Sequence, residues 1–167
     1  MQQCTIQSWS LESSLITDYQ AICETLYRYA YALDNRDWAM YRSIFADEVN
    51  FDFSTYHGRP AVRMRADDLV ASAAELFAGF SATQHTMSKP IVEIDGDSAR
   101  CSMYIQAAHS VDPDPEAPWF IMGGHYEDHL IRHNHGWLLD GVCMNLRWTR
   151  GDKNVMRAAV AHSRKSN

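Results

Sequence analysis

The stretch around which this chain is organised reads Ala30-Tyr31-Ala32-Leu33-Asp34-Asn35-Arg36-Asp37-Trp38. Upstream of it, apolar residues recur three and four positions apart, as they do on the buried face of a helix. The members of this run are Leu15, Ile16, Tyr19, Ile22, Cys23, Leu26, Tyr27, Ala30 and Leu33. Asp34 follows Ala30 by one helical turn, so its carboxylate shares the apolar face near the helix end. Because a buried carboxylate is costly unless another group pairs with it, the sequence predicts a partner for Asp34.

The composition indicates one domain of ordinary size. With 167 residues the chain is long enough to bury its own core, so residues 1–167 are predicted to form a single domain. Segments 1–11 and 153–167 are weakly patterned and are predicted to be flexible arms. A net charge of -6 without a basic patch argues against nucleic acid or an anionic membrane as a partner.

The N-terminal sequence and the cysteines are those expected of a cytoplasmic protein. The sequence contains neither a signal-peptide pattern nor an apolar run long enough to span a membrane, so a soluble, cytoplasmic protein is expected. The cysteines are scattered, without the Cys-x-x-Cys pair that would suggest zinc or redox chemistry. We therefore expect them to be reduced.

Helical patterns come first along the chain. The first helix is predicted to begin near residues 11–14 and to end near Leu33. Asp37 is predicted to cap a second, short helix, because apolar residues repeat at helical spacing directly after it. A third helix is predicted over residues 67–80.

Strand patterns dominate the rest of the chain. Alternation around Val49 and Phe51 predicts a first strand, and residues 83–150 are predicted to be mainly strands. Residues 91–94 and 99–109 are predicted to pair through the tight turn 95–97. Helices followed by antiparallel strands predict an α+β fold, in which three N-terminal helices pack in the concave face of a strongly curved antiparallel sheet. Such a fold leaves a pocket in which small ligands bind.

Strand alternation also indicates which polar side chains face this pocket. His125, Glu127 and His129 share one face of their strand, and Tyr126 and Leu130 share the other. The simpler interpretation sends Tyr126 and Leu130 to the core and leaves the charged residues in water. The same alternation places His109 on the apolar face of its strand, while His85, between apolar neighbours, is either a hydrogen-bonded core residue or a catalyst.

Three segments of the chain resemble the SnoaL-like branch of the nuclear transport factor 2-like (cystatin-like cone) superfamily, especially scytalone dehydratase and its relatives. These segments are Leu33-Asp34-Asn35-Arg36-Asp37-Trp38 with Phe51-Asp52-Phe53, then Thr83-Gln84-His85, then Gly123-Gly124-His125-Tyr126-Glu127-Asp128 with Gly136-Trp137 and Leu146-Arg147-Trp148. The resemblance implies that Asp34 and His85 meet at the pocket floor, where His85 acts as general base or acid and Asp34 orients it. It implies a hydrogen-bonding and proton-shuttling role for His109.

Further residues are candidates for binding the substrate. They are Tyr31, Trp38, Phe53, Tyr56, Tyr104, His125 and Glu127. His125 and Glu127 fall where the dehydratases carry small polar pocket residues. Two tyrosines of those dehydratases correspond to Leu33 and Phe53 in this chain, so a replacement hydroxyl is expected from Tyr31, Tyr56 or Tyr104.

The sequence and the resemblance together predict a cofactor-independent dehydratase, with no metal, that acts on a small apolar, cyclic, oxygenated substrate. A histidine with an ordinary pKa near 6.5 accepts a proton at neutral pH, and a buried aspartate stabilises the imidazolium. We expect His85 to remove a carbon-bound proton while His109, or a tyrosine, protonates the departing hydroxyl.

Three alternatives stay open. The same residues suit an isomerase or a cyclase of a polyketide or terpenoid intermediate, and the fold also supports non-catalytic binding of a small ligand. A metal site built from His125, Glu127 and His129 with His85 or His109 is a third alternative. In each case a homodimer or homotrimer is expected, formed through the outer face of the sheet.

Overall fold

The computed structural model describes residues 6–114, 116–134 and 136–163, with side chains from residue 15 onward. The elements, in chain order, are α1 (Ile6–Asn35), α2 (Trp38–Ser43), β1 (Phe45–Asp52), α3 (Ser54–His57), β2 (Val62–Arg65), α4 (Ala66–Phe77), β3 (Ala82–Met87), β4 (Ile91–Asp95), β5 (Ser98–Ser110), β6 (Phe120–His133), β7 (Gly136–Gly151) and α5 (Asn154–Ser163). Helices pack against one face of a large sheet, which confirms the predicted α+β class.

The sheet has seven strands in the order β2-β1-β7-β6-β5-β3, and β4 pairs with β5. The long strands β5, β6 and β7 form its antiparallel centre. The predicted hairpin is present, since Asp95 pairs with Ser98 and Gly96 takes a left-handed φ of 59° in the turn. One pair departs from the predicted antiparallel arrangement, because β1 runs parallel to β7.

Helix α1 buries a stripe along the sheet. Ile22, Leu26, Tyr29 and Leu33 are each no more than 5% exposed, at the three- and four-residue spacing of one helical face. The buried face of α1 was predicted to begin too early along the chain, because Leu15 and Ile16 lie in solvent. The buried face therefore begins about two turns later than the sequence pattern suggested.

The boundaries of the helices differ from the prediction in places. The predicted cap of α2 is confirmed, since Asp37 accepts a hydrogen bond of 2.9 Å from the N–H of Met40. Helix α1 begins at Ile6, earlier than predicted and inside the predicted arm 1–11, of which residues 1–5 lie outside the described part of the chain. The short elements α3 and β2 were not predicted at all.

The predicted flexible arm 153–167 was wrong over most of its length, since residues 154–163 form helix α5. Val155, Ala159 and Ser163 are its buried residues, and a stripe of such small side chains gives a weak hydrophobic pattern. Helix α5 lies close to the end of α4, where a Cβ at Gly79 would stand 1.9 Å from the carbonyl oxygen of Ala159. Residues 164–167 lie outside the described part of the chain.

Strand alternation decides which side chains enter the interior. On β5, the side chains of Met103, Ile105, Ala107 and His109 are buried, as the sequence predicted. On β6, the simpler interpretation is confirmed: Tyr126, Asp128 and Leu130 are buried, whereas Glu127 is exposed and His125 and His129 lie on its face of the strand. No helix within the described ranges combines the length and the apolar character that a membrane crossing requires.

Candidate active site

A cavity of about 220 Å³ lies between the helices and the inner face of the sheet. Its wall is mainly aromatic and aliphatic, and is made of Tyr29, Leu33, Tyr41, Phe51, Phe53, Tyr56, His57, Leu76, Phe77, His85, Ile105, Ala107, His109, Met122, Tyr126, Met144 and Met156. An apolar cavity of about 150 Å³ already holds a benzene molecule. The volume therefore fits one substituted ring or a small fused bicycle, and excludes large substrates.

Asp34 and His85 are joined by two short contacts. Nδ1 of His85 lies 2.7 Å from Oδ1 of Asp34, and the backbone N–H of His85 donates to Oδ2 at 2.7 Å. The imidazole lines the cavity with only 6% of its side chain exposed, and the carboxylate lies behind it. The fold thus brings together two residues that are 51 positions apart in sequence.

A second layer of hydrogen bonds holds Asp34 in place. Thr83 donates its hydroxyl to Oδ1 of Asp34 at 2.9 Å, and Arg36 donates to the Thr83 hydroxyl at 2.9 Å. Arg36 has a positive φ of 59°, and its guanidinium also donates to the carbonyl oxygen of Asp34 at 2.8 Å. These bonds tie the end of α1 to β3 and leave the carboxylate little freedom to rotate.

The electrostatics favour an ionised Asp34. Burial on its own raises the pKa of this carboxyl, but the hydrogen bonds from His85 and Thr83 and the attraction of the imidazole outweigh burial and lower the pKa. An ionised carboxylate only accepts hydrogen bonds, so Nδ1 of His85 carries a hydrogen toward Asp34. The other ring nitrogen, Nε2, is left with a lone pair to act as a base.

His109 lies beside His85 in the cavity wall. The two ring centroids are 5.6 Å apart and the rings are nearly perpendicular. His109 is 3% exposed, and its Nδ1 has no hydrogen-bond partner among the described residues. Burial and the neighbouring charge of His85 lower the pKa of His109 to about 4, so this imidazole is neutral at physiological pH.

Three buried tyrosines in the cavity wall were missed by the sequence analysis. They are Tyr29 on α1, Tyr41 on α2 and Tyr126 on β6. Burial is the main reason why the pKa of each phenol is raised, so all three keep their hydroxyl hydrogens at neutral pH. The helical and strand periods that put Tyr29 and Tyr126 on buried faces were visible in the sequence, but they do not distinguish a cavity wall from solid core.

The candidate substrate-binding residues divide into two groups. Phe53 and Tyr56 line the cavity, as predicted. Trp38 packs edge-on behind Phe77, with ring centroids 6.3 Å apart, and does not belong to the cavity wall. Tyr31 and Tyr104 are 60% and 75% exposed and point away from the cavity, so the predicted hydroxyl from either residue cannot reach a ligand bound there.

His125 and Glu127 also lie away from the cavity, contrary to the prediction. Their side chains are on the outer face of β6 and contact each other at 3.3 Å. The alternative of a metal site fails for the same reason, because His85 and His109 line the cavity inside the sheet. Within the described ranges, no group of three or more histidine, cysteine, aspartate or glutamate side chains is placed to hold a metal ion.

Asp128 is a second buried carboxyl, and it differs from Asp34 in having little to stabilise its charge. It is 5% exposed, and its hydrogen-bond partner is the backbone N–H of Cys143 at 3.3 Å. Burial raises the pKa of this carboxyl well above its usual range. Burial therefore favours the protonated, neutral form of Asp128 in the folded protein.

This protonation makes a testable prediction about stability. Between the unfolded pKa of about 3.9 and the raised folded pKa, the folded chain binds more protons than the unfolded chain, so stability falls as the pH rises. Asp128→Asn is neutral at every pH and is expected to remove this loss, which is up to about 1.4 kcal/mol per pH unit. Urea unfolding of both proteins from pH 5 to pH 8 measures the difference.

The exposed Asp95 provides the control for this experiment. Asp95→Asn is expected to leave the pH dependence of the free energy of unfolding unchanged. Parallel curves for the wild type and Asp128→Asn would mean that Asp128 is ionised in the folded protein.

Known proteins resemble this chain in sequence and in fold. The model of the SnoaL-like domain family matches residues 14–142. Scytalone dehydratase arp1 of Aspergillus fumigatus is 28% identical over 151 residues, which cover 85% of this chain and 90% of that protein. Among solved structures, Kfla4162 of Kribbella flavida has a TM-score of 0.77 at 25% identity, over 87% of this chain and 98% of that one.

A second solved structure has a similar fold. It is the hexachlorocyclohexane dehydrochlorinase LinA-type3 of Novosphingobium barchaimii, with a TM-score of 0.68 over 86% of this chain and 96% of that one. At 12% identity this likeness shows a common fold and nothing finer.

Proposed function

The chain belongs to the SnoaL-like domain family, and from this premise we propose that it is a lyase, a dehydratase that removes water from a small oxygenated ring compound. The observation that carries the proposal is the contact of 2.7 Å between Asp34 and His85 at a mostly apolar cavity. Only 6% of the His85 side chain is exposed, so little bulk water competes for its lone pair.

In the proposed reaction, Nε2 of His85 takes a proton from a substrate carbon. The electrons of that C–H bond form the new carbon–carbon double bond, and the bond from the neighbouring carbon to its hydroxyl breaks. The departing hydroxide takes a proton and leaves as water. Asp34 stabilises the imidazolium formed in the first step, since its carboxylate accepts the Nδ1 hydrogen at 2.7 Å.

The environment of His109 changes which group we expect to donate the second proton. We expected His109 or a tyrosine to protonate the hydroxyl, but an imidazole with a pKa of about 4 carries no spare proton at neutral pH. The imidazolium of His85 forms in the first step, and we propose that it returns its proton to the departing hydroxide. His109 then has a binding role, because its unpartnered Nδ1 is available to a substrate hydroxyl.

A similar protein supports an elimination reaction by its name. It is a scytalone dehydratase, named for loss of water. Such a reaction removes a proton from carbon together with a leaving group. The Asp34–His85 pair suits the first part of this chemistry whichever group departs.

Isomerase or cyclase activity is the second candidate, because the same pair also moves a proton without expelling a leaving group. Mass spectrometry separates the candidates after the purified protein has been incubated with a panel of one- and two-ring hydroxy ketones. A dehydratase yields a product lighter by one water, whereas an isomerase or cyclase leaves the mass unchanged. Binding without any product would identify a non-catalytic ligand-binding protein and contradict the proposal.

A further inference from the structure

Arg36 lies half-buried in the turn after α1, and its backbone conformation is unusual. Its φ of 59° lies in the left-handed region, which residues other than glycine seldom adopt. Its guanidinium donates hydrogen bonds to the carbonyl oxygens of Leu33 at 3.1 Å, Asp34 at 2.8 Å and Phe80 at 3.4 Å. The first two oxygens belong to the last turn of α1, whose carbonyls have no partner within the helix. These bonds hold the guanidinium between the end of α1 and the start of β3.

The hydrogen bond between Arg36 and Thr83 fixes the direction of the Thr83 hydroxyl. A guanidinium has donors and no acceptor, so the Thr83 oxygen, 2.9 Å from Arg36, must accept there. The hydroxyl hydrogen of Thr83 then points at Oδ1 of Asp34, which lies 2.9 Å away and only accepts hydrogen bonds while it is ionised. The three groups therefore form a chain of hydrogen bonds that runs in one direction, from the guanidinium to the carboxylate.

Arg36 also contacts the aromatic ring that packs against His85. The guanidinium carbon lies 5.4 Å from the ring centroid of Phe77, which is a cation–π contact. The Phe77 ring is stacked on the imidazole of His85, with the centroids 5.9 Å apart and the planes at 23°. One guanidinium is thus connected to both members of the Asp34–His85 pair, to the carboxylate through a hydroxyl and to the imidazole through a ring.

We propose that Arg36 and Thr83 are positioning residues for the base of the reaction, because they hold the carboxylate of Asp34 through the Thr83 hydroxyl and support the imidazole of His85 through the ring of Phe77. The proposal rests on the proposed function for its effect on turnover. The hold on Asp34 is testable without a substrate.

The electrostatics of Asp34 agree with this arrangement. Burial raises the pKa of its carboxyl, and the hydrogen bonds from His85 and Thr83 outweigh burial. A hydrogen bond that favours the charged form lowers the pKa of a carboxyl, so its removal raises that pKa. A variant without the Thr83 hydroxyl is therefore expected to protonate Asp34 more easily.

Three charged or titratable groups act on Asp34 from the elements packed around it. Arg36 attracts it from the turn after α1, His85 bonds to it from β3, and His109 interacts with it from β5. Helix α4 contributes the uncharged ring of Phe77. A Thr83 variant keeps all of these groups, so a change in the titration of Asp34 can be assigned to the hydroxyl.

Thr83→Val tests the hold on the carboxylate, because it removes the hydroxyl and nearly keeps the shape of the side chain. The pKa of Asp34 is expected to be higher in this variant than in the wild type. Thr83→Ser restores the donor and is expected to titrate as the wild type does. Carbon-13 NMR of the aspartate carboxyl groups measures the titration in the folded proteins.

Thr25→Val is the matched control. The Thr25 hydroxyl is also buried and also ties α1 to the sheet, since it donates to the carbonyl oxygen of Trp137 at 2.8 Å. Its loss is expected to lower stability and to leave the titration of Asp34 unchanged. If Thr83→Val, shown to be folded by circular dichroism, titrates as the wild type does, the Thr83 hydroxyl does not hold the carboxylate and the proposal is overturned.

Kinetics test the positioning role once a substrate is known. Thr83→Val and Arg36→Lys are each expected to lower kcat about tenfold with little change in KM, since they orient the base and do not touch the substrate. Lysine keeps the charge, but one ammonium group cannot replace the planar fork that contacts Thr83 and Phe77 together. In Thr83→Val the acid limb of kcat is expected to move to higher pH, because Asp34 and His85 titrate as a coupled pair.

Arg28→Lys, on the exposed side of α1, is the control for the arginine change and is expected to keep the wild-type kcat. Unchanged kcat values and pH profiles in both Thr83→Val and Arg36→Lys would overturn the positioning role while the proposed function stands. If no substrate turns over but Thr83→Val shifts the titration of Asp34, the hold on the carboxylate stands and the proposed function fails.

Discussion

His85→Gln is expected to lower turnover by about 10³-fold, within the range that general acid–base catalysis contributes. The glutamine amide still hydrogen-bonds Asp34, so the cavity keeps its shape, but it has no basic lone pair to accept a proton from carbon. KM is expected to change little, because His85 acts in the transition state of proton transfer rather than in binding the substrate. Steady-state kinetics with the best ketone of the panel measure both constants.

The outer face of the sheet provides a matched control. His129 contacts Asp140 at 2.5 Å, so it forms a second histidine–aspartate pair outside the cavity. His129→Gln is expected to keep wild-type turnover. A His85→Gln variant with turnover near that of the wild type would remove His85 from the mechanism and leave the Asp34 contact as a structural feature.

Asp34→Asn is expected to cost a similar factor, about 10³-fold in kcat, by reversing the direction of one hydrogen bond. Oδ2 accepts the backbone N–H of His85, so the asparagine oxygen is needed there and the amide nitrogen faces Nδ1. The amide then donates to Nδ1, which places the imidazole hydrogen on Nε2 and removes the basic lone pair from the cavity. The same change of tautomer explains a loss of about 10⁴-fold in a serine protease triad.

Nitrogen-15 NMR of the histidine side chains provides a readout that a merely structural role would not produce. The wild type is expected to carry the hydrogen on Nδ1 of His85 and the variant on Nε2. Asp140→Asn, in the outer pair, is the control and is expected to leave both turnover and the His85 signals unchanged. A folded Asp34→Asn variant with full turnover would contradict the assigned tautomer.

The lowered pKa of Asp34 adds a pH dependence of the opposite sign to that of Asp128. Its folded pKa lies below the unfolded value, so its contribution to stability is present above the unfolded pKa and is lost as the pH falls through the folded pKa. The wild type is therefore expected to lose this contribution in acid, whereas Asp34→Asn has none to lose. The stabilising contribution of Asp34 is thus lost in acid, whereas the loss of stability that comes from Asp128 grows as the pH rises.

Local periodicity was a good guide to the elements and a poor guide to the cavity. The helical spacing before Leu33, the Asp37 cap and the turn at Gly96 all depend on neighbours in sequence, and each is present. The approach of Asp34 to His85 came from the family resemblance rather than from any pattern in the chain. Helix α5 was not predicted because its buried residues are small, and small side chains give a weak hydrophobic pattern.

The sequence by itself determined the α+β class, the order of most elements and the inward face of β5 that carries His109, because these follow from side-chain periods of two and 3.6 residues. Only the tertiary structure decided which buried side chains border empty space. That depends on the packing of α1 and α2 across β6, where Tyr29, Tyr41 and Tyr126 meet although they are distant in sequence. The tertiary structure also decided that Asp128 is buried without a counter-charge and that Tyr31 and Tyr104 lie in water. A single charged or aromatic residue does not form a periodic pattern from which its burial can be predicted.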